Sequence, residues 1–239
     1  MHQLTKPWPL GLGRRTAIWY AVGFAVLLAA LHLLDRPLTV WAEGLPSEVR
    51  SVFRWITRWG ESDWILVPSL LGLILAWLVS LVTGDRIRQW ARQVLLLLSF
   101  IFLGVGVPGV VATLLKRIIG RARPVEWTAE APLSFAPLNW DAYTFQSFPS
   151  GHSTTAFSLA LSIAFVWPRT LWPMLACAVL IATSRIVVGA HYLTDITAGA
   201  ALGTLGALAV RDFFASRGWL FGRTGDGAIV RHPLAPTRS

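Results

Sequence analysis

The segment Val94–Pro124 reads VLLLLSFIFLGVGVPGVVATLLKRIIGRARP. Its first part, Val94–Leu115, carries no charged side chain and is long enough to cross a bilayer, which takes about 20 apolar residues. Four cations then follow closely, namely Lys116, Arg117, Arg121 and Arg123. The pattern predicts a membrane-spanning helix that ends in a dense basic segment.

The composition of the whole chain agrees with a membrane protein. Hydrophobic residues make up 54% of the 239 residues, charged residues only 14%, and the mean hydropathy is +0.57. So few charges could not coat the surface of a soluble protein with buried helices, which is the competing interpretation. Residues 1–239 are therefore expected to form a single membrane domain, with no soluble second domain.

Six apolar segments predict an all-α bundle of six transmembrane helices. The segments are Ala17–Leu34, Trp64–Val82, Val94–Leu115, Ser153–Trp167, Leu171–Ile186 and Leu193–Val210. The first follows several cations, as a signal peptide does. Its apolar run is long for a signal peptide and no small-residue cleavage site precedes Asp35, so we expect the helix to be retained.

The stretch between the first two apolar segments has two faces. Between Pro46 and Trp59, apolar side chains share one helical face, and Arg50, Arg54 and Arg58 recur every fourth residue on another. This pattern is typical of a helix lying in the membrane interface within the first outer loop. Such a helix could contact the lipid headgroup or simply brace the bundle.

The distribution of charge predicts the orientation. With a cytoplasmic N-terminus, the inner segments carry twelve of the 21 cations and only three of the twelve acids, Asp85, Asp212 and Asp226. The twelve are Lys6, Arg14, Arg15, Arg86, Arg88, Arg92, Arg169, Arg211, Arg217, Arg223, Arg231 and Arg238. Positive charge favours the cytoplasmic side, so both termini are expected there. Because the cations sit between apolar runs and form no single basic face, the net charge of +9 does not indicate nucleic-acid binding.

Three polar motifs fall at the predicted outer ends of helices. In the first, Lys116 and Arg123 are seven residues apart and would share a face if the helix continued. Lys suits a phosphate because its amine is a compact positive charge, and Arg suits it because its planar guanidinium can pair with two phosphate oxygens. The alternative is that these cations simply mark the end of the helix at the membrane boundary. The preference of positive charge for the cytoplasmic side disfavours this alternative, because the motif lies at a predicted outer end. Some other feature must hold these charges.

The second motif, Phe148–Ser153, precedes the fourth helix. Ser150 is a suitable N-cap, Gly151 lets a backbone amide approach an anion, and His152 could protonate a leaving oxygen. The alternative is a capped helix start with an incidental histidine.

The third motif runs from Ser184 to Asp195 and contains Arg185 and His191. His191 and Asp195 are four residues apart, which on a helix places the carboxylate one turn from the imidazole. An aspartate that accepts from one ring nitrogen raises the basicity of the other, as a nucleophilic histidine requires. A structural His–Asp bond is the alternative.

Together the patterns Lys-x6-Arg-Pro, Pro-Ser-Gly-His and Ser-Arg-x5-His-x3-Asp resemble the signature of the type 2 phosphatidic acid phosphatase (PAP2) superfamily, in its integral membrane lipid phosphatase branch. All signature positions match, in order, and the resemblance covers about 94–210. The two leading helices, 17–34 and 64–82, fit the six-helix membrane branch.

The resemblance implies roles for eight residues. His191 would attack phosphorus, Asp195 would orient it and His152 would protonate the leaving oxygen. Lys116, Arg123 and Arg185 would hold the phosphate oxygens with Ser150 and the Gly151 amide. Arg117, Arg121 and Tyr192 are neighbours without a signature role and are interpreted as boundary charge or packing residues. The sequence has no acidic cluster suited to Mg²⁺ and no His/Cys spacing suited to Zn²⁺, so we expect neither a metal nor another cofactor.

The expected function is hydrolysis of a lipid phosphate at the outer face of a bacterial inner membrane, with membrane lipids as the other partners. The candidate substrates are undecaprenyl pyrophosphate, phosphatidylglycerophosphate, phosphatidic acid and lipid A phosphate, with a preference for the carrier lipid or the glycerophospholipids. The alternatives are phosphotransfer to another acceptor, vanadate-dependent halide oxidation and non-catalytic lipid binding. The sequence does not indicate the oligomeric state or the route of lipid entry.

Overall fold

Seven α-helices account for most of the chain. The computed structural model describes residues 14–131, 133–225 and 227–232. The helices are α1 (Arg14–Glu43), α2 (Ser47–Thr57), α3 (Asp63–Val82), α4 (Asp85–Ile119), α5 (Gly151–Val166), α6 (Leu171–Val187) and α7 (Leu193–Ser216). Lys6, Asp226 and Arg238, which enter the orientation argument, lie outside the described residues, and so does the side chain of Arg14.

Within the described part of the chain, five helical stretches are long and apolar enough to cross a membrane, where the sequence predicted six spans. They are Arg15–Glu43, Ser47–Val82, Asp85–Ile119, Pro168–Val187 and Leu193–Ser216. The predicted fourth span is the helix α5, which is apolar but has only 16 residues. At 1.5 Å per residue it is roughly 24 Å long, shorter than a typical hydrocarbon core.

The short helix α5 lies at the centre of the bundle. It packs against α4, α6 and α7, and most of its residues are buried. Most of its buried side chains are small, including Ser153, Thr154, Ala160 and Ser162. Small side chains let neighbouring helices approach closely, so α5 is surrounded by protein over most of its surface.

Two glycines of α7 allow its close contact with α5. A Cβ at Gly199 would overlap the Ser150 carbonyl oxygen, and a Cβ at Gly203 would overlap the Thr154 carbonyl oxygen. The two glycines are four residues apart and so share one face of α7, the spacing of small-residue helix contacts in membranes. This contact fixes the start of α7 against the start of α5.

The end of the bundle that lies away from the three motifs is closed by an aromatic core and a hairpin. Strands β1 (Phe221–Arg223) and β2 (Ile229–Arg231) pair antiparallel, with Phe221 opposite Arg231. The Phe100 ring lies 5.3 Å from the Phe214 ring and 4.9 Å from the Phe221 ring, edge to face. The hairpin was not predicted, because its strands are only three residues long.

An amphipathic helix forms in the first long connection, as the sequence predicted. Helix α2 spans Ser47–Thr57 and none of its side chains is fully buried. It packs on α6, and a short 3₁₀ turn, Arg58–Gly60, joins it to α3 and packs on α5. Its residues therefore stand beside the ends of α5 and α6 that carry the second and third motifs.

Candidate active site

The first motif turns sharply after α4. The helix ends at Ile119, and Gly120 adopts the left-handed conformation with φ +63°, its amide donating to the Lys116 carbonyl oxygen. A Cβ at Gly120 would overlap the Ala136 carbonyl oxygen, so glycine is required there. The prediction that Lys116 and Arg123 share a helical face is wrong, because Arg123 lies in extended chain beyond this turn.

The turn nevertheless brings both cations to the same place. Lys116 is in the last turn of α4, and its amine lies 3.5 Å from the position that a Cβ of Gly151 would occupy. It interacts electrostatically with Arg123, Arg185 and Asp195. The first motif thus meets the second and the third around the Lys116 amine.

The Arg123 guanidinium is fixed by the loop that covers it. It donates to the carbonyl oxygens of Tyr143 at 3.1 Å, Ala190 at 3.1 Å and Gln146 at 3.3 Å. The Tyr143 ring stacks on it at 3.8 Å. Burial lowers the pKa of Arg123, yet an arginine remains charged at physiological pH. The polar segment 125–148 therefore serves in part to hold this cation.

The second motif caps α5. The Ser150 hydroxyl accepts from the Ser153 amide at 3.5 Å, and the Ser150 amide donates to the Asp195 carbonyl oxygen at 3.0 Å. This arrangement joins the start of α5 to the start of α7. The Gly151 and His152 amides are in the first turn, where helical amides have no acceptor within their own helix. They are available to an anion.

His152 is confined by the turn after α2. A Cβ on Gly60 would lie 2.8 Å from His152 Cδ2, so glycine at this position leaves room for the imidazole. His152 interacts electrostatically with Arg185, His191, Lys116 and Arg123. It therefore faces the residues of both other motifs.

Arg185 lies in the last turn of α6 and is buried. One of its terminal nitrogens, Nη1, donates to the Thr57 hydroxyl at 2.5 Å. Its Nε is also buried and has no hydrogen-bond partner among the residues that the structure describes. An unpaired buried donor is unfavourable, so a bound anion would satisfy it.

His191 and Asp195 are in contact, although not on one helix as predicted. The helix α6 ends at Val187, Gly189 turns the chain with φ +72°, and His191 precedes the first residue of α7. Asp195 lies in the first turn of α7, and its carboxylate accepts from the Tyr192 amide at 2.9 Å. The imidazole Nδ1 lies 3.5 Å from Asp195 Oδ2.

The pair is deeply buried. His191 is 2% exposed and Asp195 is 0% exposed. Burial lowers the pKa of His191 to about 3, helped by Lys116 and Arg123 and opposed by the hydrogen bond to Asp195. The imidazole is therefore neutral near pH 7. With Nδ1 donating to Asp195, Nε2 carries the lone pair that a nucleophile needs.

Sequence reasoning missed several residues that complete this site. Ser147 is buried and donates to Asp195 Oδ2 at 2.6 Å, and its hydroxyl lies 3.4 Å from His191 Nδ1. Arg121, interpreted as boundary charge or packing, is buried and donates to Asp195 Oδ1 at 2.6 Å. Asp35 of α1 accepts from Arg121 at 2.8 Å. One signal pointed to Arg121: the basic run on the predicted outer side required some compensating partner.

An apolar groove leads to the site along α3, α4 and α5. Its volume is about 1030 Å³. Its lining includes the apolar side chains of Leu66, Leu103, Val107, Val110 and Leu114 as well as Glu61, Asp63, Arg117, Gly151 and His152. Among the residues that the structure describes, no group of three or more His, Cys, Asp and Glu side chains is placed to hold a metal ion.

The chain is similar to known lipid phosphatases in sequence. The profile of the PAP2 superfamily matches residues 93–219. The chain is 35% identical to a lipid A 1-phosphatase of Rhizobium johnstonii, over 91% of this chain and 89% of that protein. It is 34% identical to a decaprenylphosphoryl-5-phosphoribose phosphatase of Mycobacterium tuberculosis, over 57% of this chain and 68% of that protein.

The fold is also similar to a solved structure. A transmembrane PAP2 type phosphatidylglycerolphosphate phosphatase from Bacillus subtilis superimposes with a TM-score of 0.56 at 24% identity. The match covers 82% of this chain and 94% of that chain.

Proposed function

The chain belongs to the PAP2 superfamily, and from this premise we propose that it removes a phosphate from a membrane lipid through a phosphohistidine at His191. The observation that carries the proposal is the buried His191–Asp195 pair, which interacts electrostatically with Lys116 and Arg123, while Arg185 interacts with Lys116. Neutral imidazole, an orienting carboxylate and several positive groups are what covalent phosphoryl transfer by histidine needs.

In the first step His191 Nε2 attacks phosphorus. A nitrogen–phosphorus bond forms, the bond from phosphorus to the lipid oxygen breaks, and His152 gives its proton to that oxygen. In the second step His152 takes a proton from water, the water oxygen attacks phosphorus, and the nitrogen–phosphorus bond breaks. Inorganic phosphate leaves and His191 is neutral again, so the two steps together consume one water molecule.

Fixed positive groups stabilise the charge on the phosphoryl oxygens in both steps. Lys116, Arg123 and Arg185 supply three cations, and the Ser150 hydroxyl and Gly151 amide supply further donors. The buried unpaired Nε of Arg185 supports this assignment because an oxygen of the phosphoryl group would satisfy it. Since these groups perform the electrostatic work that a metal ion performs elsewhere, the reaction proceeds without a metal cofactor.

The groove indicates the substrate class. Its lining combines apolar side chains of α3 and α4 with His152 and Gly151 of the site, so a lipid with its acyl chain in the groove could reach the site with its headgroup. The lipid A 1-phosphatase similar to this chain matches over nearly its full length. We therefore favour a lipid A phosphate over undecaprenyl pyrophosphate and the glycerophospholipid phosphates.

The membrane arrangement is part of the same proposal. Helices α1, α3, α4, α5, α6 and α7 cross the bilayer, α5 being short because protein surrounds it, and α2 lies in the outer interface. The ends of α4 and α6 and the starts of α5 and α7 then share the outer side. This arrangement leaves both termini in the cytoplasm, in agreement with the distribution of Lys and Arg.

Phosphate release from purified protein tests the proposal. The wild type and His191→Ala are incubated in detergent micelles with lipid A, undecaprenyl pyrophosphate, phosphatidylglycerophosphate and phosphatidic acid, each with and without EDTA. We expect the wild type to release phosphate fastest from lipid A and to be unaffected by EDTA. We expect His191→Ala to lose at least about 1000-fold in rate, since it lacks the nucleophile.

The intermediate is checked with a lipid substrate that carries radioactive phosphorus at the scissile phosphate. We expect the label to become attached to the protein and to be released in acid. His191→Gln serves as a second variant that keeps a polar side chain. Comparable hydrolysis by either His191 variant would refute the nucleophile. A strict requirement for added Mg²⁺ would refute the metal-free mechanism, and a preference for another lipid would refute the choice of lipid A.

A further inference from the structure

Within the proposed phosphohistidine reaction, on which this inference rests, we propose that Arg121 and Asp35 are positioning residues. Arg121 clamps the Asp195 carboxylate, Asp35 of helix α1 clamps Arg121, and Asp195 in turn orients His191. Neither residue belongs to the three-part signature, and Asp35 lies outside the segment 93–219 that matches the family.

The Arg121 guanidinium is shared between two acids. Its Nη1 donates to Asp195 Oδ1 at 2.6 Å and to the Thr194 hydroxyl at 2.6 Å. Its Nη2 donates to Asp35 Oδ2 at 2.8 Å. Only 6% of the Arg121 surface is exposed. A planar fork with fixed donors holds two carboxylates at once, as a lysine cannot.

Asp35 attaches this clamp to two helices. It lies on α1 and is 3% exposed. Its Oδ1 accepts from the Thr194 amide at 3.0 Å, and its Oδ2 accepts from the Thr194 hydroxyl at 2.7 Å. The Thr194 amide belongs to the first turn of α7, where it has no acceptor within its own helix. Asp35 therefore fixes the start of α7, which carries Asp195, relative to α1.

The Asp195 carboxylate has little freedom left. Oδ1 accepts from Arg121, and Oδ2 accepts from the Ser147 hydroxyl at 2.6 Å and the Tyr192 amide at 2.9 Å. This set of donors holds Oδ2 at 3.5 Å from the imidazole. A displacement of about 1 Å in such a group can lower the rate about 100-fold.

The clamp also supplies charge. Asp195 is surrounded by the titratable groups His191, Tyr192, Lys116, Arg121 and Arg123, with Asp35 on the far side of Arg121. Burial lowers the pKa of Arg121, but Asp195 and Asp35 outweigh it, and the pKa of Arg121 is raised overall. A permanently charged Arg121 keeps Asp195 ionised, so that this carboxylate can accept the hydrogen bond from Nδ1–H and stabilise the positive charge that develops on the imidazole during attack.

Four variants test the pair: Arg121→Gln, Arg121→Lys, Asp35→Asn and the control Arg36→Lys. Arg36 is adjacent to Asp35, forms an ion pair with Glu43 at 3.6 Å and stacks on Trp127, and its replacement by lysine keeps the positive charge. The rate of phosphate release from lipid A in detergent micelles is measured against pH and normalised to the folded fraction, obtained from size-exclusion profiles and thermal melting.

We expect Arg121→Gln to lower kcat about 100-fold with KM within threefold of wild type, since substrate contacts are untouched. As the pH is lowered, this variant should lose its activity at a higher pH than the wild type does, because Asp195 has lost its charged partner. Arg121→Lys should recover part of kcat and most of the pH range. Asp35→Asn should lower kcat without that shift, because Arg121 keeps its charge but loses its anchor. Arg36→Lys should match wild type.

A wild-type kcat and pH profile in folded Arg121→Gln would overturn the inference. So would a loss that merely follows the folded fraction. If Arg121→Gln does not fold, Asp35→Asn decides the matter: a wild-type kcat in this folded variant, or a loss that merely follows its folded fraction, would overturn the inference. His191→Ala is assayed in parallel: if it retains activity, or the wild type has none, the proposed function itself has failed.

Discussion

At the scale of single residues, the burial of His191 has a consequence for stability. Its pKa is lowered to about 3 in the folded protein, chiefly by burial, against about 6.5 in an unfolded chain. The unfolded state therefore binds more protons between these two pH values. The stability that neutral His191 permits is fully present above about pH 6.5 and is lost as the pH falls toward 3.

We expect the melting temperature of wild-type protein in detergent to fall on going from pH 7.5 to pH 4.5. In His191→Gln, which cannot titrate at this position, the fall should be smaller. His232→Gln is the matched control, because this histidine lies next to the hairpin strand and away from His191. An equal fall in wild type and His191→Gln would contradict the burial argument.

The eight candidate residues could be identified in the sequence because each motif is local. A capped helix start, a basic run and a His–Asp spacing can be recognised from a few adjacent residues, and their ordered combination is specific. The partnership of Asp35 with Arg121 joins residues 86 positions apart. No periodicity links such positions, so only the packing of α1 against α7 reveals it.

At the scale of elements, helix types and approximate bounds were predictable, but local chain direction at the site was not. The spacings of Lys116 with Arg123, and of His191 with Asp195, would bring each pair together on one face if the helix continued through both residues. Instead, Gly120 takes a positive φ at the end of α4, and Gly189 takes a positive φ shortly after the end of α6. The side chains still converge because the turns redirect the chain toward the same point.

The glycine face of α7 gives a prediction at this scale. Gly203→Ala would place a methyl group against the Thr154 backbone in the contact between α7 and α5. Overpacking of this kind destabilises proteins by about 1–3 kcal/mol. We expect a lower melting temperature in detergent and lower activity, because the start of α7 carries Asp195.

Gly109→Ala in α4 is the matched control. A Cβ at Gly109 would meet nothing within 4 Å, so the same change should leave the melting temperature unchanged or raise it. Equal melting temperatures for Gly203→Ala and wild type would show that α7 can move away from α5 without loss. The close contact would then not be what fixes the site.

At the scale of the whole molecule, convergence of the motifs depends on how the helices alternate in direction. The end of α1, the end of α4, the start of α5 and the end of α6 all contribute polar side chains to one region, and the hairpin closes the other end. Sequence reasoning could predict this alternation by counting apolar segments. It also predicted a short apolar segment at α5, Ser153–Trp167, but not the shielding of that helix by α4, α6 and α7, which is a property of the assembled bundle.

The orientation of this bundle in the membrane can be tested with single cysteines. In a Cys177→Ala background, Glu130→Cys lies in the loop beside the site, and Gly225→Cys lies in the turn of the hairpin. Both positions are exposed.

Because positive charge is concentrated on the hairpin side, we expect that side in the cytoplasm. A membrane-impermeant maleimide should therefore label Glu130→Cys in spheroplasts, and Gly225→Cys only after permeabilisation. The Cys177→Ala parent should stay unlabelled in both conditions. The reverse pattern would place the phosphate chemistry on the cytoplasmic face and would exclude a substrate confined to the outer leaflet.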